Sequence, residues 1–346
     1  MNTSILNPLF FVPLITTVIL IFILCPYAKK LGFIDTPCSR KQHTSPTPPI
    51  GGIVIYLSTL LTLLIYDINL PHQNAFIAAI SLLVIVGAID DYKEISVKIR
   101  LVSQIIAALI MTEYGDIKIN DVGDLFGHGT LHLGKYTTLM TVFAVVGGIN
   151  AFNMIDGIDG LSGSSALISI SLVAFLAVFF KNPLLLNLSL VFMGAIMAFL
   201  AFNLRIFGRQ KGSIFLGDSG STLLGFVVCW LIISASQGVD RMISPTLVLW
   251  LIAIPLCDSV CIMMRRLQKR KSPFSPDREH LHHVLPMKGF STNQTLAIIL
   301  AMSLLLAVFA LTASLFFELP DKLSFAAFLT FFSVFYWAMH NTISAD

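Results

Sequence analysis

Charge is scarce in this chain. Only 12% of its 346 residues are Asp, Glu, Lys or Arg, whereas 56% are hydrophobic and the mean hydropathy is +0.85. Soluble domains carry about twice that share of charge, so water-soluble classes are excluded and an integral membrane protein is implied. Cysteine is also sparse, and Cys25, Cys38, Cys229, Cys257 and Cys261 are scattered. Cys257 and Cys261 stand four apart in an apolar run with no histidine nearby, so neither a disulfide framework nor a zinc site is expected. The first apolar run lacks a small-residue cleavage site and a basic stretch before it, and is expected to be a retained span.

What fills the chain is apolar sequence. Eleven runs approach the roughly 20 residues a helix needs to cross hydrocarbon: 5–27, 50–65, 75–88, 99–112, 137–148, 161–180, 184–204, 222–235, 245–264, 295–317 and 324–339. The fold class expected is an all-α membrane protein, one polytopic domain over 1–346, with about eleven transmembrane helices. With the N-terminus outside, only Lys118, Lys135, Lys181, Arg241 and Lys322 of the 22 Lys and Arg fall in outer loops. The positive-inside rule therefore puts the N-terminus in the periplasm and the C-terminus in the cytoplasm.

Every polar cluster then lies on the cytoplasmic side, in loops 28–49, 89–98, 149–160, 205–221 and 265–294. Asp90 and Asp91 end a strongly apolar run, where a carboxylate is costly unless paired or bound to a cation; the alternative is a helix end meeting water. Adjacent helical residues point about 100° apart, so both cannot face one ligand without a bend. Asn153, Asp156 and Asp159 step by three, which in a helix places them along one face. Gly157 and Gly160 argue instead for an irregular segment, tolerated at membrane depth only where it lines a cavity or is buried in protein. Such hard oxygen donors suit Mg²⁺, which binds through one or two carboxylates plus substrate phosphates; a polar helix cap is the plain alternative.

The segment Phe215-Leu216-Gly217-Asp218-Ser219-Gly220-Ser221-Thr222 is a glycine-rich turn running into an apolar helix. It lacks the Gly-Lys-Ser/Thr ending of a Walker loop. Its amides can hold phosphate oxygens while Asp218 holds a metal, or it is an ordinary N-cap. The last basic loop carries His280, His282 and His283, which can bind metal, donate to phosphate or shuttle protons. No Ser-His-Asp or Cys-His nucleophile pair stands out. Acids for a hard cation beside a group of bases fit phosphoryl transfer, where catalysis is positioning and electrostatics. A secondary transporter is the competing class, but it would hold its acids near mid-bilayer, and only Asp258 lies inside an apolar run, about two turns before Arg265.

These residues carry a family resemblance. Gly87-Ala88-Ile89-Asp90-Asp91, Ser96-Val97-Lys98-Ile99-Arg100, the Asn150 to Gly160 segment, Phe215 to Thr222, and Ser272 to His283 resemble the polyprenyl-phosphate N-acetylhexosamine-1-phosphate transferases, with coverage reaching back to Arg40 and Pro49-Ile50-Gly51-Gly52. The branch acting on UDP-GlcNAc and undecaprenyl phosphate is the nearest, because Leu281 interrupts the histidines and Arg278 precedes them; the MurNAc-pentapeptide branch has adjacent histidines there. The resemblance implies eleven spans and formation of undecaprenyl-pyrophosphoryl-GlcNAc and UMP in the bacterial inner membrane, as the first membrane step of an O-antigen or enterobacterial common antigen type of glycan. It implies Mg²⁺, with Mn²⁺ as the alternative, held by Asp218 and Asp156, and a catalytic set of Asp90, Asp91, Asp156 and Asp159. Asp90 and Asp91 would lie near the lipid phosphate. Asn153, Asp156 and Asp159 would lie at the nucleotide and pyrophosphate, and Phe215 against the uracil. Lys98, Arg265, Arg278, His280, His282 and His283 would grip pyrophosphate and sugar. The implied partners are the two substrates and the bilayer, with no nucleic acid, and a homodimer is the assembly the family suggests. A phosphate monoester has a second pKa of about 6, so a general base adds little; Asp90 and Asp91 are expected to orient or bind metal in a single displacement, a double displacement through an aspartyl-phosphate being the alternative.

Overall fold

The computed structural model describes residues 7–35, 46–66, 68, 70–206, 208–273 and 279–344. Among them the helices are α1 (Pro8–Lys30), α2 (Gly51–Ile65), α3 (Gln73–Tyr92), α4 (Val97–Leu109), α5 (Thr137–Met154), α6 (Leu161–Phe179), α7 (Pro183–Asn203), α8 (Gly217–Ser236), α9 (Ala253–Gln268), α10 (Leu281–Met287), α11 (Thr292–Leu315) and α12 (Asp321–Ser344). A π turn at Ile110–Tyr114 prolongs α4, and a 3₁₀ turn at Leu247–Ile252 leads into α9. No strand occurs among the described residues beyond the single bridges Asp35–Thr47 and Asp121–His132.

Among the described residues each of the eleven apolar runs overlaps one of these helices, the run 245–264 entering α9 through the 3₁₀ turn, with α10 an added short helix in the basic loop. Nine helices among the described residues are long and apolar enough to cross a membrane, while α2 is a shorter apolar helix of 15 residues. Polar caps mark several starts. Asn7 accepts from Leu9 N ahead of Pro8, Ser96 accepts from Ile99 N, and Ser291 forms a capping box with Gln294; each satisfies amides that a helix start leaves orphaned. The chain is a multi-pass, all-α membrane protein.

Packing is concentric. Every residue of α8 from Ser219 to Ile233 is buried, and α8 touches α2, α3, α5, α6 and α7. Large apolar side chains instead point outward from α1 (Ile15, Ile19, Phe22), α11 (Leu304, Leu305) and α12 (Leu329, Val334, Trp337). In water such a surface would be a sticky patch; against lipid tails it is matched to its solvent.

Small residues let backbones approach α8. A Cβ on Gly52 would lie 2.1 Å from the Gly220 nitrogen, and one on Gly87 would lie 2.4 Å from the Ser219 Cα. The same close approach lets Gly51 N donate to Phe215 O and Gly52 N to Leu216 O, both at 2.9 Å, while Phe215 N donates to Pro48 O at 3.0 Å. The first amides of α2 thus find acceptors in the segment preceding α8. At the opposite end of the bundle, Asp321 accepts from Asp124 N and the Thr246 hydroxyl, both at 2.9 Å.

Gly52→Ala should therefore force α2 off α8. Overpacking of this kind costs about 1–3 kcal/mol, and the expected result is a lower melting midpoint in detergent; a melting curve unchanged from the parent would count against the close crossing.

Candidate active site

The C-terminus of α3, the C-terminus of α5, the N-terminus of α8 and the short α10 meet at one end of the bundle. Asp90 and Asp91, adjacent on α3, face different neighbours, as 100° of helical rotation requires. Asp91 accepts from Asp218 N at 2.7 Å, Ser219 N at 3.1 Å and Ser219 Oγ at 2.8 Å. It is an N-cap supplied to α8 by another helix. Gly217 precedes this cap with φ +76°, and a Cβ there would sit 2.5 Å from Asp91 Oδ2, so both backbone conformation and space call for glycine.

Asp90 turns the other way. Its Oδ1 accepts from Ile95 N at 2.9 Å, and its Oδ2 lies 3.2 Å from the Arg100 guanidinium. Asp90, Arg100, Gln104 and Asp218 line one small cavity between α3, α4 and α8. Gln104 in turn accepts from Asn150 Nδ2 at 2.6 Å, tying α4 to α5.

On α5, Asn153 donates to Asp218 Oδ1 at 2.5 Å and to Ser221 Oγ at 2.9 Å. The helix then stops at Met154, and residues 155–160 form turns closed by Gly160 at φ +84°. Asn153, Asp156 and Asp159 therefore do not share a helical face; the irregular segment signalled by Gly157 and Gly160 is what forms. Asp159 is drawn aside, accepting from Arg205 Nε at 2.8 Å and Gly212 N at 3.1 Å. Asp156 remains with the cluster. Burial, then the charges of Asp218, Asp91 and Asp159, raises its carboxyl well above the ordinary range, as expected for an acid among acids.

The histidines approach from the other side. His282 is buried, and its Nε2 stands 1.9 Å from where a Cβ of Gly157 would lie. Burial, with His283 and His280 alongside, holds its pKa well below the usual imidazole value, so it is neutral near pH 7. The His280 ring lies parallel to it, centroids 5.5 Å apart, and the His283 ring is 4.2 Å away. His280 Nδ1 is 2.7 Å from Asp258 Oδ2, a partner that sequence reasoning set aside.

The remaining candidates divide. Phe215 is half-buried, its backbone held by Pro48 and Gly51. Lys98 is exposed on the first turn of α4. Arg265 is buried, its Nε donating to Glu279 at 2.8 Å and its NH1 3.0 Å from His340 Nδ1 on α12. Lys269 also bonds Glu279, and although burial opposes it, these two cations hold the Glu279 carboxyl below its ordinary range. Arg265 thus braces the basic loop against the last helix. Arg278 and Arg40 lie outside the described residues.

The residues fit a hard divalent ion that keeps several waters. Among the described residues no three His, Cys, Asp or Glu side chains form a ready-made metal cage. Yet Asp218 is close enough to Asp90, Asp91 and Asp156 to act on each electrostatically, and Asp90 Oδ2, whose ionic partner is Arg100, is buried and accepts no hydrogen bond. One or two of these carboxylates plus substrate phosphate oxygens make the donor set Mg²⁺ prefers.

Residues 74–236, from α3 through α8, match glycosyl transferase family 4. The undecaprenyl-phosphate alpha-N-acetylglucosaminyl 1-phosphate transferase of Escherichia coli (strain K12) is 38% identical over 92% of this chain and 87% of its own length. The proteins of the same name from Yersinia pestis and Pasteurella multocida (strain Pm70) are 35% and 34% identical, each over 91% of this chain and over 86% and 88% of their own lengths.

If Asp91 is a cap, Asp91→Ala leaves two buried amides and a hydroxyl without their acceptor, a loss of about 1–3 kcal/mol. The melting midpoint should fall with Asp91→Ala and recover in part with Asp91→Asn; equal stability of all three proteins would contradict the cap.

Proposed function

The chain belongs to the undecaprenyl-phosphate alpha-N-acetylglucosaminyl 1-phosphate transferases, and from that premise we propose its reaction: GlcNAc-1-phosphate passes from UDP-GlcNAc to undecaprenyl phosphate, giving undecaprenyl-pyrophosphoryl-GlcNAc and UMP. The observation that carries the reading is the meeting of Asp90, Asn153, Asp156 and Asp218 at one end of the bundle, with Arg100 beside them. These groups come from helix ends, where a water-borne nucleotide and a membrane-borne phosphate can reach the same place. A transporter would be expected to hold its acids near the bilayer midplane.

In the membrane the chain crosses eleven times, with its N-terminus in the periplasm and its C-terminus in the cytoplasm. The supporting feature is the concentration of Lys and Arg in the loops on the site's side. The site then opens to the cytoplasm of the bacterial inner membrane, where UDP-GlcNAc is made available, and the product starts an O-antigen or enterobacterial common antigen type of glycan.

The transfer is a single displacement. An oxygen of the lipid phosphate attacks the sugar-side phosphorus of UDP-GlcNAc, the bridging bond to the uridine-side phosphate breaks, and UMP leaves with that bridging oxygen. The attacking monoester, with a second pKa of about 6, needs little help in losing a proton, so Asp90 positions Arg100 and the acceptor rather than acting as base. Arg100, 3.2 Å from Asp90, is suited to hold the incoming phosphate. Asn153 fixes the Asp218 carboxylate. Asp218, with Asp156 and Asp90, would hold Mg²⁺ or Mn²⁺. The bound ion would neutralise charge developing on the diphosphate.

Purified protein in detergent should release UMP from UDP-GlcNAc only when undecaprenyl phosphate and a divalent cation are both present, and EDTA should abolish it. Asp218→Asn should lower turnover by about 10²–10³, the scale on which one preorganised electrostatic group acts, with little change in melting. Release with UDP-MurNAc-pentapeptide in place of UDP-GlcNAc would overturn the donor, and release indifferent to lipid and EDTA would overturn the mechanism. A labelled phosphoryl-enzyme trapped by rapid quench would replace the single displacement with a double one.

A further inference from the structure

We propose that Asp258 is a positioning residue for the transfer step: its carboxylate fixes the ring of His280 so that Nε2 is the nitrogen left to meet the donor diphosphate. The substrate named here rests on the transferase reading; the Asp258–His280 pair does not.

Asp258 is 1% exposed within α9, among apolar neighbours such as Ile254, Cys257, Cys261 and Ile262. A carboxylate persists there only if its oxygens are compensated, and both are. Oδ2 is 2.7 Å from His280 Nδ1, and Oδ1 accepts from Leu281 N at 2.9 Å. Leu281 opens α10, and His280 gives that helix no side-chain cap of its own. One buried carboxylate thus caps α10 and clamps the imidazole at its threshold.

The clamp settles which ring nitrogen is free. A carboxylate only accepts, so His280 Nδ1 carries the proton and Nε2 is the free nitrogen. In the neutral ring Nε2 is an acceptor. Once protonated there, the ring becomes an imidazolium that Asp258 stabilises and that can donate to a phosphate oxygen. The ring cannot swing away, because it lies parallel over His282, which packs against Gly157 beside Asp156. The sequence of contacts Asp258, His280, His282, Gly157 therefore connects α9 to the acidic loop. His280 thus stands one ring removed from the residue that packs on the acidic loop.

The test combines a spectroscopic and a kinetic measurement on the full-length chain in detergent. With ¹⁵N-labelled histidine, the resonances missing from His280→Gln identify His280. The parent should show Nδ1 protonated, and Asp258→Asn, whose amide can donate to Nδ1, should shift His280 toward the Nε2–H tautomer. Asp258→Asn should lower kcat/KM for UDP-GlcNAc about 10–100-fold, the scale seen when a partner orienting a functional histidine is lost, and Asp258→Glu should recover part of it. In the His280→Gln background Asp258→Asn should cost less than about twofold, because residues acting as a unit are not additive. Melting within a few degrees of the parent for Asp258→Asn or Asp258→Glu secures the comparison.

Unaltered His280 resonances in Asp258→Asn would overturn the clamp. Shifted resonances with losses that multiply in the double variant would overturn its part in the transfer. Absence of activity in the parent would sink the transferase reading instead, and the tautomer measurement would still decide the pairing.

Discussion

The cap that Asp91 places on α8 is the constraint from which the rest of the site follows. A helix that begins among other helices leaves its first amides in need of acceptors from protein. Asp91, reaching across from α3, supplies the acceptor for two of them and for the Ser219 hydroxyl. That fixes where α8 begins, and hence that Asp218 stands on its first turn facing Asn153. The negative carboxylate also lies at the positive end of the helix dipole, so charge and hydrogen bonding favour the same arrangement.

The acids of this site divide by what their oxygens are already doing. Asp91 is bound to α8, Asp159 to Arg205 and Gly212, and Asp258 to His280 and Leu281. Asp90, met by Ile95 N and Arg100, and Asp218, met by Asn153, stay close to Asp156, where mutual repulsion and burial make a cluster of acids costly. The first group builds a frame rigid enough to keep the second together. Neutral His282 suits this frame, since it fills the space against Gly157 without adding a charge.

Much of the frame could be read from composition and pattern, because hydrocarbon imposes a length and polarity that every crossing helix must obey. The eleven apolar runs coincide with helices for that reason. Asp90 and Asp91 were expected to diverge by helical rotation, and they do. What pattern alone misjudged depended on contacts between distant segments. A spacing of three implied one face for Asn153, Asp156 and Asp159, but α5 ends at Met154. Arg265 has partners that only the folded chain reveals, Glu279 and, on α12, His340. Asp258 was measured against Arg265, close in sequence, when its partner lies 22 residues on; the cost of a carboxylate in an apolar run was the signal, and the partner could be named only in three dimensions. Arg100 stood within the matched segment but was passed over for Lys98.

The concentric packing has a consequence for how the enzyme meets different membranes. Exposed apolar faces belong to the outer helices, α1, α11 and α12 among them, while α8 is sheathed by other helices along its length. When bilayer thickness or tail order changes, the outer helices can tilt and slide to follow it at small cost. The inner helix, pinned by backbone contacts at glycine and by a buried cap, has no lipid boundary of its own to follow. Asp218 is thereby carried on a helix that a shift of the outermost helices does not directly displace.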